Sequence, residues 1–337
     1  MSLEATAPES EDRLIGWLRR RVERAQAANP IGDDAAFLKL GGHWAITTDS
    51  QIEGIHFLAG LDPALVARRL LAVNLSDLAA SGAVPAWAFL SLTLSPGFDA
   101  RRFFESLVRA MEKVGVTLAG GDLACLPQGL VATLTLLGRR PARGRWLKRS
   151  AARAGDLLYV GGTLGESALG QKLLARGAVI DVRNRVILPK DLALPRALVP
   201  AARRAIVRHV EPHPQLALGT ALGKLKRVAA LDVSDGLARD LHRLCNESNV
   251  GAEIDAAALP YASRFSDLCE MVGEDPRQLA LSGGEDYVLL FSLPARNAPP
   301  TGFNCTKIGR ITSDRAVEIQ LDGANRKLPP LGWDHLN

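Results

Sequence analysis

A chain of 337 residues, 47% apolar and 23% charged, has the composition of a soluble globular protein and the length for two cores rather than one. Its 41 basic residues exceed its 36 acidic ones by only five, and the basic clusters lack the aromatic interleaving or zinc framework of a nucleic-acid binder. Its four cysteines (Cys125, Cys245, Cys269, Cys305) are scattered and form no CxxC pair, which suggests neither a zinc site nor a disulfide framework and fits a reducing cytoplasm.

Residues 1–10 read as a loose tail. Glu4, Glu9, Glu11 and Asp12 stand where a signal peptide needs basic then apolar residues, and no apolar run reaches the ~20 residues of a membrane span. Leu14, Ile15, Leu18 and Val22 fall at helical spacing and predict a helix over 12–28. Ile31-Gly32-Asp33-Asp34 reads as a turn into a short strand, and 44–49 as a strand ending in two hydroxyls and a carboxylate. Residues 63–81 predict a long helix, 87–94 a strand, and 100–114 an amphipathic helix. Residues 117–119 lead into Gly120-Gly121-Asp122, and 130–138 is another apolar, β-rich run. The basic segment 139–153 reads as a linker, dividing the chain into domains of 1–145 and 146–337. The second domain restarts with a strand at 157–160. Strands alternating with helices, and outnumbering short crossovers, predict a mixed α/β fold of the α+β type.

Within the long helix, Leu75, Leu78 and Ala79 make an apolar side, yet Asn74, Ser76 and Asp77 stand among them. No Lys or Arg lies between Leu70 and Ser95 to neutralise the carboxylate, and a buried unpaired carboxylate is costly. Two readings stay open from this stretch alone: an exposed polar face, or a metal ion held against Asp77.

One pattern recurs, in which an apolar strand delivers Asp, Thr or Ser at its end, usually beside Gly. It occurs at Gly32-Asp33-Asp34, Thr47-Thr48-Asp49, Gly120-Gly121-Asp122, Asp232-Val233-Ser234-Asp235-Gly236 and Gly283-Gly284-Glu285-Asp286. Singly each is turn chemistry. Together they offer the hard oxygen ligands that magnesium prefers, with glycines admitting phosphates to the backbone. No Walker A sequence or dinucleotide-binding fingerprint accompanies them.

In this order, these segments resemble the thiamine-monophosphate kinases, a family grouped with aminoimidazole ribonucleotide synthetase and selenophosphate synthetase. Gly54-Ile55-His56-Phe57, Leu147-Lys148-Arg149-Ser150, Gly155-Asp156, Leu281-Ser282 and Gly332-Trp333-Asp334-His335 extend the resemblance. It implies a two-domain fold of mixed sheets covered by helices, an ATP cleft between domains, and a homodimer paired through the N-terminal domain. The implied reaction moves the γ-phosphoryl group of ATP to thiamine phosphate, without general base or phosphoenzyme. Nucleic acid and membranes are not among the implied partners. By the same resemblance, Asp34, Thr47, Thr48, Asp49, Asp77, Asp122, Asp232 and Asp235 hold several magnesium ions. Gly121, Asp122, Arg149 and Ser234 meet ATP, while His56, Glu285 and Trp333 line the acceptor site. Asn74 and Ser76 then become the supporting shell of Asp77. The other histidines, His209 included, show no ligand spacing and read as structural.

Overall fold

The computed structural model describes residues 11–25 and 38–334, which fall into two compact units. One holds the described residues up to Asn74 together with Pro85–Arg139; the other holds Leu75–Val84 and the described residues from Arg140 onward. Among the described residues no helix is long and apolar enough to cross a membrane.

The first unit runs through α1 (Glu11–Ala25), β1 (Trp44–Ile52), α2 (Pro63–Ser81) as far as Asn74, β2 (Val84–Leu94), α3 (Ala100–Lys113), β3 (Thr117–Cys125) and β4 (Leu130–Arg139). Its four strands lie in the order β1-β4-β2-β3, with β1 antiparallel to β4 and β2 parallel to β3. The amphipathic period of α3 buries Phe103, Phe104, Leu107, Val108 and Met111, and Asp99 caps the helix by accepting from the Arg102 amide at 2.9 Å. On α1, Leu14, Leu18 and Val22 turn inward at i, i+4, i+8, while Ile15 turns out. Arg21 of α1 holds Glu112 of α3 through two hydrogen bonds. α2 shows no polar face: Leu65, Val66, Ala67, Leu70, Leu71 and Val73 are all buried, as is Arg69, whose Nε donates to Gln51 of β1 at 2.8 Å.

The second unit is built on β5 (Asp156–Gly161), α4 (Glu166–Ala175), β6 (Val179–Ile180), β7 (Val186–Ile187), α5 (Val199–Val210) and α6 (Leu216–Leu222). It continues through β8 (Ala229–Asp232), α7 (Leu237–Ser248), β9 (Gly251–Asp255), α8 (Phe265–Val272), α9 (Pro276–Ser282) and β10 (Leu289–Pro294), and ends with β11 (Cys305–Thr312), β12 (Val317–Leu321) and β13 (Ala324–Lys327). Seven strands form one sheet in the order β13-β12-β9-β11-β5-β10-β8, antiparallel apart from the β9–β12 pair.

Where both faces of this sheet are covered, at β5, β10 and β8, the strands are almost wholly buried and read as near-continuous apolar runs, whereas β11 alternates buried Ile308 and Ile311 with exposed Lys307 and Arg310. Leu158, Val160, Leu231 and Leu290 point into a core with Leu237, Leu241 and Leu244 of α7. Their neighbours Tyr159, Ala230 and Phe291 point the other way, against Leu218 and Leu222 of α6 and Ala79 at the end of α2. Tyr159 and Phe291 stack at 5.5 Å.

The helix expected at 63–81 is found at those bounds, and the strands of the first half lie within a few residues of their expected places. Three of the expected strand-end tips sit elsewhere. Thr47-Thr48-Asp49 lies inside β1, which runs on to Ile52, and Gly120-Gly121-Asp122 lies inside β3, which runs on to Cys125. Gly283-Gly284-Glu285-Asp286 follows helix α9 rather than a strand. Among the described residues only Asp232 closes its strand as expected, and Gly32-Asp33-Asp34 lies outside them. Cross-strand pairing, unseen in a local pattern, carried the two longer strands past their polar residues. The basic segment is not loose either: the Arg145 amide donates to Gly223 O, that of Leu147 to Ser81 O, and Arg149–Ala151 forms a 3-10 turn.

Candidate active site

In the first unit, alternation along β1 sorts the expected ligands. Thr48 shares a hydrogen bond with Thr135 opposite it on β4 (2.8 Å), and Ser50 does the same with Thr133 (2.7 Å). Thr47, Asp49 and Gln51 project from the other face, where Gln51 meets α2. Thr47 and Asp49 are thus brought together, while the Thr48 side chain is turned away from them. Asn74 of α2 accepts from the Asp49 amide at 3.0 Å and donates to Leu70 O at 2.9 Å. His56 lies in the turn after β1, where its Nδ1 accepts from the Ile52 amide at 3.0 Å, which places the proton of a neutral ring on Nε2. Gly121 and Asp122 are paired with Leu90 and Ser91 of β2. A Cβ at Gly121 would stand 1.9 Å from Leu90 O, so only glycine allows that close approach, and Asp122 beside it is exposed. Asp34 and His335 lie outside the described residues.

In the second unit the centre is the turn after β8. Asp232, buried at the strand end, accepts from the buried Ser76 hydroxyl at 2.6 Å. Neither Asn74 nor Ser76 is therefore an exposed face residue: Asn74 braces Asp49, and Ser76 braces Asp232. Asp77 itself is half-buried. Asp235 pairs with Arg243 at 2.5 Å. The same arginine holds Asp240 at 2.7 Å, and the other Asp240 oxygen accepts from the amides of both Ser234 and Asp235, each at 3.0 Å. Burial, joined by the charge of Asp235, pushes the Asp240 carboxyl up to about 6 despite Arg243. Sequence reasoning missed Asp240; its signal was an acidic residue in the first turn of α7.

Main-chain hydrogen bonds gather further expected residues at this turn. The Glu285 amide donates to Ser234 O at 2.6 Å, and the Trp333 amide donates to Asp235 O at 2.9 Å. Trp333 leaves 53% of its surface exposed beside that bond. Gly332 makes the approach possible: its φ is 141°, and a Cβ there would lie 2.2 Å from Asp235 O. Glu285 Oε2 stands 3.3 Å from Nδ1 of the buried His209, and Ser167 Oγ reaches the same nitrogen at 3.2 Å. A hydrolase triad needs its partners on opposite ring nitrogens, so this cluster is not one. His209 is nonetheless a neighbour of Glu285 that spacing did not reveal. Arg149 is not brought to the turn. Its carbonyl accepts from Ser248 at the far end of α7, on the order of 16 Å along the helix axis from Leu237.

Carboxylate and hydroxyl oxygens make up the donor set, with no thiolate, and this chemistry fits a hard dication such as magnesium. Among the described residues no three His, Cys, Asp or Glu side chains close into a cage. Magnesium does not require one, since it keeps waters and takes substrate phosphate oxygens.

A family model described as AIR synthase related protein, N-terminal domain, matches residues 32–139. A thiamine-monophosphate kinase of Escherichia coli O157:H7 is 39% identical over 329 residues, 94% of this chain and 94% of its own length. This chain belongs to the thiamine-monophosphate kinase family. Two solved structures are similar along almost their whole length. AaThiL complexed with AMPPCP and TMP is 30% identical with a TM-score of 0.75, covering 99% of both chains. Thiamine-monophosphate kinase from Stenotrophomonas maltophilia K279a is 32% identical with a TM-score of 0.76, covering 90% of this chain and 96% of its own. The thiamine-monophosphate kinase family and the mixed α/β fold implied by the motifs are both borne out.

Proposed function

We propose that this chain transfers the γ-phosphoryl group of ATP to thiamine phosphate, giving ADP and thiamine diphosphate. The observation that supports this most is the main-chain arrangement that ties Glu285 and Trp333 to the Ser234 and Asp235 carbonyls of one turn. In this reading Glu285 faces the cationic thiazolium or aminopyrimidine part of the acceptor, where a carboxylate has a natural partner. Trp333 offers a flat face for stacking on the heteroaromatic ring, and His56 contacts the acceptor phosphate through Nε2. Gly121, Asp122 and Ser234 meet ATP; the resemblance adds Arg149, without geometric support.

The acceptor is a phosphate, ionised at neutral pH, so no general base is required. The difficulty is the approach of one anion to another. Magnesium, when bound, supplies charge neutralisation between the two phosphates. The resemblance assigns Asp34, Thr47, Thr48, Asp49, Asp77, Asp122, Asp232 and Asp235 as the residues that would hold it, and the Thr48 hydroxyl, turned toward Thr135, is the one that the strand geometry does not favour. The chain's own work is to orient: Ser76 fixes one oxygen of Asp232, Asp240 fixes the Ser234 and Asp235 amides, and Asn74 fixes the Asp49 amide. Transfer is direct, with no phosphorylated side chain. The cysteine usage supports a cytoplasmic setting, and the edge strand β1, with Ile46 67% exposed, supports a homodimer.

Incubation with ATP, magnesium and thiamine phosphate, followed by chromatography of thiamine diphosphate, tests the reaction. Asp77→Asn is expected to lower kcat by about 100-fold or more, as several kcal/mol of charge stabilisation are lost, with the circular dichroism spectrum unchanged. ATP consumed with some other acceptor, and no thiamine diphosphate, would overturn the reading.

A further inference from the structure

The Gly283-Gly284-Glu285-Asp286-Tyr287 loop is held in an unusual backbone conformation. Gly284, Glu285 and Tyr287 have φ of 70°, 56° and 49°. For the two that carry side chains this costs on the order of 1–3 kcal/mol each, so the surroundings must hold the loop in place. Asp286, at the centre of the loop, is buried. One of its oxygens accepts from the Gly165 amide at 2.7 Å and the other from the Ser167 amide at 3.3 Å.

These are the amides at the start of α4, whose N-cap residue, Gly165, has no side chain to satisfy them. A carboxylate 121 positions away in sequence therefore caps the helix. From α5, Arg208 Nη2 donates to the Asp286 carbonyl at 3.0 Å. The amides on either side of Asp286 bond to the turn after β8: that of Glu285 donates to Ser234 O at 2.6 Å and that of Tyr287 to Val233 O at 2.9 Å. Asp286 is the pin, and Glu285 is the residue the pinned loop presents.

We infer that Asp286 is a positioning residue for the acceptor: by capping α4 it fixes the strained loop that aims Glu285. The inference rests on the proposed kinase reading and on Glu285 facing the acceptor. Burial pushes the Asp286 carboxyl up to about 7 against the pull of the two amides and Arg208.

The test is a double-mutant cycle of Asp286→Asn with Glu285→Gln, reading KM for each substrate, kcat and the thermal midpoint. Misaimed by the weakened cap, Glu285 should bind the acceptor less well, so Asp286→Asn should raise KM for thiamine phosphate about tenfold. KM for ATP should stay within about twofold of wild type, and in the Glu285→Gln background the penalty on the acceptor should shrink to less than about twofold. Equal rises in both KM values, or an undiminished penalty in that background, would assign Asp286 to fold maintenance alone and overturn the inference. Should Asp286→Asn fail to fold, Arg208→Lys weakens the same loop from α5 and is read by the same cycle, with an unchanged acceptor KM overturning the inference. A wild-type chain that makes no thiamine diphosphate fails the kinase reading itself. An active wild type with an unaffected Asp286→Asn fails only the inference.

Discussion

The Ser76 hydroxyl helps to make the Asp232 carboxylate tolerable in the interior: it donates at 2.6 Å, and both side chains are buried. Ser76→Ala removes that donor, at about 1–3 kcal/mol. The expected result is a lower thermal midpoint together with a weakened magnesium response of that midpoint, measured by titrating the metal in the presence of ATP. The cysteines give a second residue-scale outcome. Burial pushes the thiols of Cys245 and Cys269 up to about 12, whereas Cys125 is exposed. A maleimide at neutral pH should therefore label Cys125 rapidly and leave Cys245 and Cys269 unmodified until the chain is denatured, as peptide mapping would show.

Among the elements, β3 depends on one absent side chain. Gly121→Ala would drive a Cβ into Leu90 O, so β2 and β3 must part at the residue next to Asp122. A loss of about 2 kcal/mol or more is expected, read as a fall in thermal midpoint of several degrees. This is also where the legibility of the sequence ends. α2 was readable at both ends because Pro63 opens it and Gly82 follows it, and α3 because its apolar period is strong. The positions of Thr47-Thr48-Asp49 and Gly120-Gly121-Asp122 were not, because a strand's length is set by its neighbours. The glycine and carboxylate motifs told which residues to watch. The partners that hold them, Arg243, Asp240 and His209, come from helices whose facing residues no local pattern reveals.

Over the whole molecule, the site of the second unit draws on distant parts of the sequence: Ser76 from α2, Ser234 and Asp235 after β8, Glu285 after α9, and Trp333 near the last described residue. Leu331–Asp334 is tied down by bonds from Arg239 N to Leu331 O, from Trp333 N to Asp235 O, and from Arg239 to Asp334. Truncation after Pro330 is expected to raise KM for thiamine phosphate by about tenfold or more while the seven-stranded sheet still melts cooperatively, since β13 ends at Lys327. The same tie has a bearing on folding. Asp235 and Trp333 stand about a hundred residues apart, so the bond between them closes a long loop, and a contact of that reach forms late, after the local helices and hairpins.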